Sequence, residues 1–161
     1  MIDRTKINQY VIEEIQRQGY SIWIMDGVVE TSDDGAVQEI IDSFDPLVPA
    51  RLEAIQRINE QSQSYMNEIE SAYPSFEKHT WPAQKIESEN WAVDSTCDTP
   101  VLDAIATARG VDRVTLIQKA VIKTQQYNAL AATMAGKRQA FEQQIEQSND
   151  LSWICSVQFE V

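Results

Sequence analysis

A chain of 161 residues, 43% of them hydrophobic, carries 25 acids against 13 bases for a formal charge of −12. That length suits one domain, or a domain with a small appendage. Roughly two thirds of its unfolded surface can be buried on folding, and the composition is globular rather than disordered. The negative field disfavours nucleic acid and anionic membrane surfaces as partners. No run reaches the ~18 apolar residues of a membrane span, and the first ten residues lack the apolar core of a signal peptide.

Helical spacing of Ile7, Tyr10 or Val11 and Ile15 predicts a helix over residues 4–18, closed by Gly19. Asp26-Gly27 between two β-branched runs is a strong hairpin signal, with strands expected at 20–25 and 28–31. Asp33 or Asp34 is placed to cap a short helix carrying Val37, Ile40, Ile41 and Phe44. Asp45-Pro46 then marks a break, so residues 1–46 read as an N-terminal α/β piece.

Residues 47–147 read as a helical domain. Leu52, Ile55, Asn59, Ser62, Met66, Ile69 and Tyr73 fall on a seam of threes and fours, which predicts a long helix over 51–72 packed in cis or on a copy of itself. After Tyr73-Pro74, Ser75 is expected to cap a helix through Phe76, Trp81, Ile86 and Trp91, kinked or restarted at Pro82. The rings of Tyr73, Phe76, Trp81 and Trp91 read as core or as a partner-binding patch. Thr99-Pro100 pairs a cap with a first-turn proline, and Gly110 suits the left-handed end of that short helix.

Asp112 is expected to cap a long helix to about Gln147. Its seam is Ile117, Ala120, Thr124, Tyr127, Ala131, Met134, Arg138, Phe141 and Ile145. Gly136, costing ~1 kcal/mol of helix propensity, hints at a close contact or a kink. The alternation of Leu151, Trp153, Cys155, Val157, Phe159 and Val161, with Ile154 the only apolar intruder, predicts a terminal β-strand in residues 148–161, paired with the hairpin or added to a partner's sheet edge. The fold class expected is therefore α+β and predominantly helical.

Signals for chemistry are weak. His79 is the only histidine, and Cys97 and Cys155 lack metal or redox spacing, so they read as free thiols. Glu13-Glu14 and Glu87/Glu89 suit a solvated helix face better than an acid–base pair. The expectation is no active site, no cofactor and no metal.

Tyr73-Pro74, Trp81 with Gln84, Trp91, Thr99-Pro100 with Leu102-Asp103, Ala108-Arg109-Gly110 and Gly136-Lys137-Arg138-Gln139-Ala140 follow one another over nearly half the chain. This order resembles a C-terminal module of small tailed-bacteriophage proteins, typically encoded beside tail-fibre genes and described as tail-fibre assembly proteins. Phe44-Asp45-Pro46-Leu47 leading into a long helix is similar as well. The resemblance implies a protein without catalytic residues. It would be either a chaperone that holds the fibre protein in the host cytoplasm until it trimerises, or a structural tail or baseplate component that stays in the virion. The implied partner is the tail-fibre protein, alongside a homo-oligomer. The candidate partner-binding residues are Trp81, Trp91, Tyr127, Arg138, Trp153 and Phe159.

Overall fold

A computed structural model describes residues 2–161. The chain is predominantly helical with one two-stranded antiparallel sheet. It divides into two compact units. The first comprises Met1–Ile58 and Phe141–Gln158, the second Asn59–Ala140 and Phe159–Val161. The first unit thus extends past the break expected at Asp45-Pro46 to Ile58, and it includes most of the C-terminal segment. Pro49 lies in the first turn of a helix that continues well past it, where its ring breaks nothing.

In the first unit, a 3-10 turn at Arg4–Lys6 precedes helix α1, Gln9–Arg17, so the expected helix starts later than residue 4. Asn8 caps α1 by accepting from the Val11 amide at 3.2 Å. Strands β1, Ile22–Met25, and β2, Val28–Thr31, pair with Trp23 opposite Glu30 and Met25 opposite Val28. Asp26 and Gly27 both have positive φ, 49° and 76°, the left-handed pair that a two-residue hairpin turn demands. Asp33 caps α2, Asp34–Ser43. Val11, Ile15, Val37, Ile40 and Ile41 form the core, with Ile2, Ile7, Tyr20, Ile22 and Phe44 packed around it.

Helix α3, Leu47–Glu70, begins in this unit and buries Ala50, Ala54 and Ile58 at steps of four. The expected seam holds in part: Ser62 is buried and Ile55, Met66 and Tyr73 are half-buried, while Asn59 is exposed. Leu52 and Ile69 are exposed, because alanines let a neighbour approach where leucine would hold it off.

The terminal segment is a correction. Leu151–Ser156 is a helix, here α8, and residues 157–161 are irregular. Asp150 caps it, accepting from the Trp153 amide at 3.0 Å. Ile154, the one apolar residue that broke the strand alternation, is fully buried, and Val157 is buried three residues on. Leu151, Ile154 and Val157 make a helical stripe. Arg57 supports this end, its Nη2 and Nε donating to the Ile154 and Val157 carbonyls at 2.9 and 3.1 Å. Arg51 Nη2 donates to the Ser148 carbonyl at 2.8 Å. These cations satisfy carbonyls that helix ends leave unpaired. Tyr10 Oη donates to Glu53 at 2.7 Å and lies 3.7 Å from Cys155 Sγ. Burial, followed by this carboxylate, pushes its proton affinity above the ordinary tyrosine range.

In the second unit, helix α4 is only Ser75–Lys78, with Pro74 and not Ser75 at the cap position. Helix α5, Trp81–Val93, starts afresh with Pro82 in its first turn. The single helix expected through 75–91 is therefore two, since Pro82 lacks an amide hydrogen to continue the ladder. Helix α6, Pro100–Arg109, closes on Gly110 at φ +63°. Asp112 accepts from the Thr115 amide at 2.8 Å at the head of α7, Arg113–Gln147.

The α7 seam is as read. Ile117, Met134 and Ile145 are buried, and the seam positions between them are half-buried. Gly136 is different. It is exposed, a side chain built there would meet nothing within 4 Å, and the helix runs through it unbroken. No close contact explains it.

Candidate interaction site

The second unit gathers aromatic side chains at the start of α5. Tyr73 sits at the break after α3, Trp81 opens α5 and Tyr127 lies at mid-α7. Tyr73 and Trp81 meet edge to face, with ring centroids 5.2 Å apart and planes at 80°. Trp81 meets Tyr127 at 6.0 Å and 66°. Lys123 Nζ stands 5.8 Å from the Tyr73 centroid, a cation over a ring face. Tyr127 Oη donates to Glu70 at 2.6 Å, and Lys78 Nζ lies 3.7 Å from the other Glu70 oxygen. The Glu70 carboxylate, then burial, raises the Tyr127 pKa.

This grouping joins two of the six candidate residues, Trp81 and Tyr127. Trp91 is half-buried further along α5, and its Nε1 is buried without an acceptor among the described residues. Arg138 donates through Nη1 to Asn59 Oδ1 at 3.0 Å, with its stem half-buried on the α7 seam. Phe159 is half-buried in the irregular tail, its amide donating to Gln61 Oε1 at 2.8 Å. Trp153 belongs to the first unit, half-buried on α8. The expected aromatic patch is also incomplete. Phe76 is 73% exposed and stands outside the ring contacts.

That exposure continues along the surface. Ile86 and Val93 lie seven residues apart, two turns along α5 and so on one face. Val93 is 91% exposed. Exposed apolar side chains of this kind are suited to contact with another protein.

The same helix contributes a polar latch whose centre, Glu87, was read as part of a solvated face. Its two carboxylate oxygens accept from the Val101 and Leu102 amides at 3.0 and 2.9 Å. Glu87 of α5 thus caps α6 from outside. The Thr99 side chain, nominally the cap, makes no capping bond. Its hydroxyl donates to Asp103 at 2.7 Å and accepts from Arg113 Nη2 at 2.7 Å. Arg113 Nε also meets Asp103 at 2.6 Å. Hydrogen bonds from Thr99 and then Arg113 hold the Asp103 carboxyl below the usual carboxylate range. The signal for Glu87 was the Thr99-Pro100 start itself. Proline removes one orphan donor and leaves the next amides seeking an acceptor.

Among the described residues, no group of three or more His, Cys, Asp or Glu side chains is placed to hold a metal ion, and no helix is long and apolar enough to cross a membrane. Cys97 and Cys155 are free thiols. Comparison of the chain with protein-family models, curated proteins and solved structures finds no match.

Proposed function

We propose that this chain is a non-catalytic assembly protein of a tailed bacteriophage, one that holds a tail-fibre protein in the host cytoplasm while the fibre folds and trimerises. The observation that carries the reading is the exposed apolar surface of Phe76, Ile86 and Val93. It lies within the block whose motif order resembles tail-fibre assembly proteins. Burying a side chain of this size against a client contributes about 1.5–3 kcal/mol, enough in combination for a reversible grip. The ring contacts of Trp81 and the Glu87 latch anchor α5, which carries Ile86 and Val93. The charge of −12 keeps a protein with exposed apolar groups soluble.

The test is co-expression of the tagged chain with the fibre protein encoded beside it. Soluble, trimeric fibre recovered only in its presence, with the chain absent from purified particles, is the expected result. Stoichiometric retention in virions would make it a structural tail component instead. Absence of any complex would overturn the fibre reading.

A further inference from the structure

The hairpin has two faces, and both are apolar. Pairing places Trp23, Met25, Val28 and Glu30 on one face and Ile22, Ile24, Val29 and Thr31 on the other. Ile22 and Val29 are half-buried, and Ile22 packs against the core, so theirs is the inward face. An outward face of a solvated antiparallel pair is ordinarily polar. Here Trp23, Met25 and Val28 are 56%, 74% and 58% exposed. Its rim is acidic. Asp26, Glu30, Asp33 and Asp34 all lie within residues 20–35, which contain no lysine or arginine. One base, Arg4, reaches the turn, its Nη2 3.3 Å from where a Cβ on Gly27 would stand.

The same chain carries the complementary surface. On α7, Val114, Gln118 and Ile122 follow at steps of four on a stripe beside the buried Ile117 seam, and Val114 and Ile122 are exposed. Exposed Val111 and Arg109 precede them, and exposed Lys119 lies on the flank. Between Arg109 and Arg138 the only acid is Asp112. Neither Arg109 nor Lys119 enters an ion pair among the described residues.

We infer that the outward face of the hairpin docks on the α7 face around Val114 and Ile122 of a second copy of this chain. Apolar side chains meet apolar side chains, and the acidic rim meets Arg109 and Lys119. Hairpin-to-hairpin pairing is disfavoured because it brings Glu30 and Asp26 of two copies together. The junction is head-to-tail, so each copy keeps one free surface of each kind and assembly extends to a ring or a chain. This inference is independent of the fibre reading.

The experiment is light scattering on the full chain across a concentration series at low and high salt, with two variants. Wild type is expected to associate with concentration, and less so in high salt. Trp23→Lys and Ile122→Glu are each expected to self-associate about tenfold more weakly or worse. Circular dichroism establishes that they remain folded, and Met25→Lys replaces Trp23→Lys if that variant does not. Mixed in equal amounts, the two variants retain one competent junction, and a heterodimer with nothing larger is the expected product. A wild type that stays monomeric throughout would overturn the proposal. So would an Ile122→Glu chain that associates as wild type does, or a mixture that forms no heterodimer.

Discussion

The two units are held together by different means. In the first, α1, α2 and the start of α3 bury Val11, Ile15, Val37, Ile40, Ile41, Ala50, Ala54 and Ile58, and the polar bonds lie outside that core at helix ends. In the second, the three buried polar residues found among the described residues, Ser62, Ser88 and Thr99, sit among fewer buried hydrophobics, of which Leu102, Leu116, Ile117 and Met134 are the largest. There Glu87, Asp103 and Arg113 do what branched aliphatics do in the first unit. Burial of apolar area is strong and undirected, whereas hydrogen bonds are modest in net energy and specific in geometry. A unit that leans on the second kind is easier to open, and it leaves Phe76, Ile86 and Val93 at the surface. That is compatible with the proposed role of gripping another protein.

The largest effect that sharpens this contrast is expected in the first unit. Ile15→Ala empties a fully buried site and is predicted to cost about 2–5 kcal/mol in urea unfolding. Amide hydrogen exchange is expected to show slower opening in α1 and α2 than in α5 and α6. The reverse order would break the comparison. In the second unit, Glu87→Ala frees the Val101 and Leu102 amides and is predicted to cost about 1 kcal/mol, with faster exchange confined to α6. Loss spread evenly over both units would count against the latch.

Gly136→Ala works in the opposite direction. Nothing lies within 4 Å of the added methyl, so the variant is predicted to gain about 0.5–1 kcal/mol, read as a raised urea midpoint. A loss would indicate a contact at that position. The smallest effect concerns acid. The Asp103 pKa is lowered in the folded chain by Thr99 and Arg113, so its stabilisation is full above the ordinary carboxylate pKa and is lost as pH falls through the lowered one. Asp103→Asn is therefore expected to be less stable than wild type at neutral pH, with the difference closing in acid. The effect is small because the pair is solvent-accessible.

What the sequence made legible follows how local each signal is. Asp26-Gly27, Asp33, Thr99-Pro100, Gly110 and Asp112 mark boundaries through backbone geometry set within a few residues, and the elements lie where these place them. The α7 seam was legible because large and small apolar residues recur over many turns. On α3 the buried line of Ala50, Ala54 and Ile58 was hidden by the larger Leu52 and Ile69, since size in a sequence does not say which face a neighbour approaches. The terminal segment misled for a related reason. With Ile154, which interrupts the period-two alternation, Leu151 and Val157 make a stripe at steps of three, and the Asp150 cap with the Arg57 contacts decides for the helix. Of the candidate site, Trp81 stood out in the aromatic block and Tyr127 on the α7 seam, but nothing in the sequence paired them. Glu87 was hidden because its partners lie 14 and 15 residues away and are backbone amides.

The most direct test of the account is capture of the fibre protein by wild type and by a chain carrying Phe76→Ser, Ile86→Ser and Val93→Ser together. All three positions are exposed, so the variant is expected to keep its fold by circular dichroism. The account predicts that wild type retains the fibre protein and the variant releases it. Equal retention by a folded variant would contradict it.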